Sequence, residues 1–494
     1  MKMAMEFTSE EALLAEADGQ GHFKRAMGLV DSTAVVVGSM IGSGIFIVSA
    51  DIARQMGSPF WLLMCWLAAG VLTIMGALCY SELSAMFPKA GGQYVFLRQA
   101  YGPLAAFLYG WTLFAVIQCG TIAAVAVAFA KFTGVFIPYI SNTNVILQIA
   151  NWKFTSAQAL GVLVIALHTY INCRGIHTAK MIQTVFTVAK VGALFGLIGL
   201  GLLAFNNYHG LEVNLANFWQ AVDLKGNPLT GWHFLGVMAV AMVGSLFSCD
   251  AWNNITFASE EVKEPEKTLP KSLALGTFLV TLIYVLTNVV YLLLLPLHGS
   301  PDGADVFSRG IQFALEDRVG TAAASVLFGS PAVMIMAGAI MISTFGCLNG
   351  LILAGSRAYY AMARDGLFFK KVAELSPKSN VPVFGLLLQG IWAAILTTSG
   401  TYGNLLDYVV FAALAFYVLT VAAVIVLRAK DSTRERLYRV PLYPALPILY
   451  VVFAVSIMVG QICLSPQYTG AGLLLILSGL PAYWFWHGRS KKSA

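Results

Sequence analysis

Long stretches of this chain carry no Asp, Glu, Lys or Arg: residues 99 to 130, 319 to 356 and 440 to 488. A helix that crosses a bilayer takes about 20 mostly apolar residues, and the third window holds two such lengths around Ser465-Pro466-Gln467-Tyr468-Thr469-Gly470. Reading the apolar stretches against Gly, Pro and charge gives twelve spans, starting near residues 29, 60, 103, 155, 179, 233, 272, 324, 381, 404, 443 and 471. Membrane strands would be about ten residues long and would alternate apolar with polar, and no such alternation is sustained. The pattern therefore predicts an all-α integral membrane protein with twelve transmembrane helices.

Composition narrows the class. Of 494 residues, 58% are hydrophobic and 11% charged, with a mean hydropathy of +0.75. Soluble domains carry about 25% charged residues, so a soluble enzyme is excluded. With the N-terminus placed in the cytoplasm, 23 of the 30 Lys and Arg fall on the cytoplasmic face, six on the other face, and Lys190 inside a span. That asymmetry predicts a multi-pass protein of the cell membrane, the inner membrane in a bacterium, with both termini cytoplasmic. The net charge of +6 is then a matter of topology, and no nucleic-acid partner is expected. Residues 1–28 read as a cytoplasmic segment without a cleaved signal, and 488–494 as a cytoplasmic tail. The seven cysteines lie within or at the ends of spans, which argues against a disulfide framework.

Two spans break the helix rule. The first reads Gly38-Ser39-Met40-Ile41-Gly42-Ser43-Gly44-Ile45-Phe46. Gly38 and Gly42 fit a small-residue packing face. The succession Gly-Ser-Gly favours instead an interruption, which frees backbone N–H and C=O groups that lipid cannot satisfy. The sixth span contains Phe247-Ser248-Cys249-Asp250-Ala251-Trp252-Asn253-Asn254, with an acid at membrane depth, which normally faces a cavity. The competing reading places Asp250 near the interface on a shorter span.

Interrupted spans one and six are five helices apart, a pattern that predicts an inverted-repeat secondary transporter with its substrate held between the breaks. Repeat one would run from about 29 to 205 and repeat two from about 233 to 427, together a transport core of 29–427, with helices 11 and 12 in 428–487. Freed amides of Gly42, Ser43 and Gly44 would crown a half-helix N-terminus, an anion site suited to a carboxylate. Freed carbonyls of Met40, Ile41, Phe247 and Ser248 would accept from an ammonium. Donors and acceptors so close together describe an α-amino acid.

On these residues the chain resembles the amino acid/polyamine/organocation superfamily, and within it the L-type amino acid transporter family and its bacterial relatives. The resemblance runs from Phe23 to about Arg439. Its blocks are GLVDSTAVVVGSMIGSGIFI from Gly28, LCYSELSAMFPKAGGQYVFLRQAYGP from Leu78, FSCDAWNNITFASEEVKEPEKTLPKSL from Phe247, GCLNGLILAGSRAYYAMARDGLF from Gly346 and NVPVFGLLLQG from Asn380. It implies two inverted five-helix repeats with discontinuous helices 1 and 6, and alternating access to a central site. The substrate carboxylate would meet the backbone of Gly42, Ser43 and Gly44, and the amino group the carbonyls of Ile41, Phe247 and Ser248, with Asp250 and Cys249 beside them. Phe247 matches the aromatic that closes over the substrate as a gate.

The resemblance also gives Lys190 a role. On the residues alone, Lys190 either snorkels or faces the interior. Similar transporters place a helix 5 lysine where sodium-coupled relatives hold sodium, which implies sodium independence. Proton cycling and a fixed strut for exchange both stay open for this amine. Animal relatives carry a cysteine between helices 3 and 4 that bonds a heavy chain; residues 134 to 155 contain none, so no disulfide-linked partner is expected, and a monomer is.

Weaker cavity candidates are Gln118 and Cys119 on helix 3 and Ser343 and Asn349 on helix 8. The run from Glu260 to Lys271 reads as a solvated face or a gate of ion pairs, and Glu82 and Arg357 as structural. The histidines show no ligand spacing, so no metal and no cofactor is expected. A channel would need a pore-lining ring or filter, and an intramembrane enzyme a nucleophile set or HExxH that the spans lack. The reading is a sodium-independent carrier of neutral L-α-amino acids, as exchanger or proton symporter, with cationic amino acids or polyamines the alternative cargo and a channel the alternative class.

Overall fold

The computed structural model describes residues 25–492 apart from 151, 330, 400 and 401; the segment 1–28 therefore lies mostly outside the described residues. Local sequence signals set the helix ends. At Gly57-Ser58-Pro59 one helix ends on a glycine at φ +52 and the next starts on an N-cap serine followed by proline, each residue in the position its backbone preference favours. Thr155 and Gln158 form a reciprocal capping box at the head of Ser156–Cys173, which starts that helix where the sequence places it.

Among the described residues ten helices are long and apolar enough to cross a membrane; this is an all-α multi-pass membrane protein. Two of the twelve expected spans fall on shorter helices, and the reason is local. The span read near residue 381 is the 15-residue helix Val383–Thr397, about 22 Å long against a hydrocarbon core of about 30 Å. The one read near 471 falls on a stretch whose helix stops at Leu477 and restarts at Gly479. The span read from 324 also divides, into Val319–Phe328 and Pro331–Arg364, parted by Gly329 at φ +71 and Pro331. A two-stranded antiparallel hairpin, Val145–Ile149 with Trp152–Thr155, was not expected; it occupies the loop after Pro103–Thr133.

Depth in the bundle is uneven, and this locates the site. The first span, Leu29–Met56, is 94% buried, whereas Thr184–Leu203 and Ala445–Leu464 are 33% buried and present leucines and valines outward. The broken span is thus a central element ringed by lipid-facing helices. Glycines bring its neighbours close: a Cβ on Gly70 would lie 2.2 Å from Thr281, and one on Gly276 2.5 Å from Val36, the small-residue contact expected where no hydrophobic force separates helix from lipid.

At the end of the bundle that carries Glu261, the backbone leading into the first span is clasped to the segment after the second break. Met27 bridges Val262, the amides of Ala26 and Met27 donate to the Glu261 carbonyl, and Lys263 donates to Met27. The Glu261 side chain accepts from Arg357 Nε at 2.8 Å, with both residues buried. Glu261 is therefore not part of a solvated face; further along, Glu264 and Lys267 do form an exposed pair. Glu82, also buried, accepts from Arg428 at 2.9 and 2.6 Å and from the Val440 amide at 2.7 Å, tying Pro59–Met86 to the chain beyond Tyr402–Lys430.

Candidate functional site at the two helix breaks

Helix Leu29–Met40 ends where Ile41 turns to φ −75, ψ 94, and helix Gly44–Met56 resumes after Ser43. Such an end strands carbonyls on one side and amides on the other. The carbonyls of Gly38, Ser39, Ile41 and Gly42 are met by side chains from two other helices, Ile176–Leu203 and Pro331–Arg364. Lys190 Nζ donates to Gly38 O and Ile41 O, each at 2.6 Å, and to Ser343 O at 3.3 Å. Ser343 Oγ donates to Ile41 O and Gly42 O at 3.2 and 3.0 Å, and Cys347 Sγ to Ser39 O at 3.0 Å. An ammonium has three N–H groups and no acceptor, and here all three face carbonyls. Lys190 is 1% exposed, so it faces the interior and does not snorkel. Among the described residues, no acceptor in the chain meets the amides of Gly42 and Gly44.

The second break begins one residue after Phe247. Helix Gly231–Ser248 ends, Cys249 to Asn253 leave the helical path with Ala251 at φ +64, and a single turn follows at Asn254–Phe257. The two breaks touch: a Cβ on Gly44 would fall 2.0 Å from Ser248 Oγ and 2.7 Å from Ser248 Cβ, so only glycine permits this approach. Tyr284, from helix Pro265–Leu294, joins them, its hydroxyl lying 3.0 Å from Met40 O and 3.1 Å from Ser248 O. Sequence reasoning missed Tyr284. Its signal is a polar pair one turn apart in an apolar span, Tyr284 with Asn288, whose Nδ2 donates to Tyr284 O and whose Oδ1 accepts from Ser49.

The residues singled out in the sequence divide into groups. Met40, Ile41, Gly42, Ser43, Gly44, Ser248 and Lys190 gather at the contact between the breaks, together with Ser343. Phe247 is buried in the last turn of its helix, and its carbonyl accepts from the amide of Asp250 at 3.1 Å; it is not a freed acceptor. Asp250 and Gln118 line one cavity between the second break and the Pro103–Thr133 helix, and Cys249 with Asp250 lines another toward Thr73 and Tyr450. Asn349 does not join them: its Oδ1 accepts from Asn172 Nδ2 at 3.1 Å. Cys119 likewise points to Gln389 O. Among the described residues no group of three or more His, Cys, Asp or Glu is placed to hold a metal ion.

Asp250 has a defined setting. The Tyr417 hydroxyl donates to its Oδ1 at 2.5 Å, and the chain of bonds continues from Asn253 Nδ2 to Gln93 Oε1 and from Gln93 Nε2 to Thr420 Oγ1, each at 3.0 Å. The network joins the second break to the Tyr402–Lys430 and Gln93–Tyr101 helices. Satisfied polar networks of this kind fix a unique arrangement in a low-dielectric interior.

Comparisons with known proteins bear on this arrangement. Residues 27–477 match the amino acid permease family. The chain is 29% identical to the large neutral amino acids transporter small subunit 2 of Mus musculus, over 98% of this chain and 86% of that protein. It is 28% identical to the Asc-type amino acid transporter 1 of Mus musculus, covering 95% and 83%, and 29% identical to the b(0,+)-type amino acid transporter 1 of Rattus norvegicus, covering 93% and 87%. With the matched region spanning both breaks and nearly all the helices around them, the chain belongs to the amino acid permease family.

Proposed function

We propose that this protein is a sodium-independent secondary transporter of L-α-amino acids, neutral ones foremost, that works by alternating access as an exchanger or a proton-coupled symporter. The observation that carries the reading is the meeting of the two breaks: unpaired amides of Gly42 and Gly44 at the head of a half-helix, beside carbonyls of Met40, Ile41 and Ser248. An amide-lined helix N-terminus suits a carboxylate, and adjacent carbonyls suit an ammonium. The names of the relatives, a large neutral amino acids transporter among them, support the cargo. Lys190 supports sodium independence, because its ammonium already occupies the carbonyls of Gly38, Ile41 and Ser343 that a cation at this place would need.

The core is two inverted repeats, about 29–205 and 233–427, with 428–487 added. The protein sits in a cell membrane with both ends cytoplasmic, as the lysine and arginine asymmetry supports, and acts as a carrier and not as an enzyme or channel. Although one relative is named a small subunit, residues 134 to 155 hold no cysteine here, which supports a monomer without a disulfide-linked heavy chain.

The test is counterflow in proteoliposomes against a panel of amino acids, with internal substrate, pH gradient and sodium varied one at a time. Labelled neutral amino acids are expected to accumulate against internal unlabelled substrate, with no response to sodium; absence of counterflow with every α-amino acid would refute the reading. A second expectation concerns the contact of the breaks. Gly44→Val drives a branched side chain into Ser248, and overpacking of this kind costs about 1–3 kcal/mol. Apparent KM should rise roughly tenfold or more, and Ser248→Gly in the same chain should recover part of it.

A further inference from the structure

The hairpin of Val145–Ile149 with Trp152–Thr155 has an apolar face and a polar one. Leu147 opposes Phe154 and Ile149 opposes Trp152 across the two strands, and opposed residues share a face. The Trp152 and Phe154 rings stack there, with centroids 5.8 Å apart. Gln148 and Lys153, the pair between them, point the other way, because successive side chains alternate along a strand. The apolar face is uncovered: Leu147, Ile149 and Trp152 are 49, 59 and 40% exposed. Among the described residues the sheet has no third strand, and two strands alone are marginal in water. A face of this kind calls for an apolar layer against it.

Its place in the fold puts one such layer at hand. Thr155, at the end of the second strand, caps helix Ser156–Cys173, and Trp152 Nε1 donates at 2.9 Å to Thr398 O, one residue past helix Val383–Thr397. The hairpin thus joins the ends of two helices that pack on each other. Both are short: 18 and 15 residues make about 27 and 22 Å against a hydrocarbon core of about 30 Å. Both also turn apolar residues outward, Leu163, Leu167 and Tyr170 on the first and Leu387, Ile391 and Ile395 on the second. Ile395 comes less than one turn before Thr398, so the hairpin face continues a lipid-facing wall that by itself ends short of the headgroups. Lys153, on the polar face, is the one charged residue between 134 and 155.

We infer that the hairpin is an interfacial anchor: its face of Leu147, Ile149, Trp152 and Phe154 lies in the bilayer leaflet at this end of the bundle, with Gln148 and Lys153 toward water and the lipid phosphates. The partner is the lipid surface itself. Seating the face at the boundary of headgroups and acyl chains extends the apolar height of the two short helices, which otherwise must thin the bilayer around them. Tryptophan belongs at that boundary, and here its N–H is already taken up by Thr398, which leaves the ring for lipid. The anchor does not depend on the cargo, so it stands or falls apart from the transport reading.

The experiment places a bimane label on Ile149→Cys or on Gln148→Cys in the full chain, with the exposed Cys463 replaced by serine, and reconstitutes each protein into phosphatidylcholine vesicles. Circular dichroism checks that the labelled proteins keep their helix content, and the chain with Cys463→Ser alone gives the background. Brominated phosphatidylcholine should quench the label on Ile149→Cys severalfold more than the label on Gln148→Cys. Iodide, present on both sides of the membrane, should quench them in the opposite order. Iodide reaching both labels alike would overturn the anchor and stand the hairpin in water. Neither quencher reaching the label on Ile149→Cys would also overturn it, because a second copy of the chain would then cover the face.

Discussion

Lys190→Met is expected to abolish amino acid counterflow while the protein still inserts and can be purified. Methionine keeps the length and apolar stem of the side chain but supplies no donor, so the carbonyls of Gly38, Ile41 and Ser343 lose the amine that now joins them. Hydrogen bonds from a charged group contribute about 1.5–3 kcal/mol each, and two at 2.6 Å hold the end of the first half-helix. Losing both should reduce kcat/KM by two orders of magnitude or more, roughly, at 1.4 kcal/mol per tenfold. The measurement is initial counterflow rate per mole of reconstituted protein, with circular dichroism to check helix content. A variant with the wild-type rate would show that the break keeps its shape without the amine. Lys190→Arg is informative in the same assay, because a planar guanidinium cannot present the same three-way donor set.

The second large effect lies at the start of the first half-helix, through an ion pair made by the Pro331–Arg364 helix. Arg357→Met leaves Glu261 buried with no cationic partner, and breaking a buried pair from one side costs about 3–5 kcal/mol. Glu261 also carries the backbone bonds to Ala26 and Met27, so its displacement loosens the lead-in to the first span. The expected outcome is a fall in apparent Tm in detergent and in yield from the membrane. Joining Arg357→Met with Glu261→Met removes both charges and should recover much of the loss, since well-packed apolar residues replace buried pairs at little cost. Failure of the double variant to recover would mean that the pair does more than balance charge.

Much of the geometry of the candidate site was legible in the sequence, for a physical reason. A break in a membrane helix must be written in residues that tolerate it, and Gly42-Ser43-Gly44 and Cys249 to Asn253 are such runs; lipid forbids them elsewhere. Lys190 was legible because a charge at that depth needs a cause. What the sequence does not write is which side chain meets which orphaned carbonyl. Tyr284 looks like ordinary aromatic packing until helix Pro265–Leu294 is placed against both breaks, and Asn349 looks like a cavity residue until Asn172 is found beside it. Glu261 misled for a related reason: it sits in a run of exposed charges, and only Arg357, 96 positions away, marks it as interior. The count of twelve goes beyond the ten described helices long enough to cross because hydropathy carries no information on helix length, as at Val383–Thr397.

The Tyr284 hydroxyl has one hydrogen and faces two carbonyls at nearly equal distance. At any instant one of Met40 and Ser248 holds the weaker share of that donor. A new donor arriving between the breaks is accepted by whichever carbonyl is short, and the hydroxyl keeps the other. The site can thus exchange a partner without passing through a state in which a buried group has none.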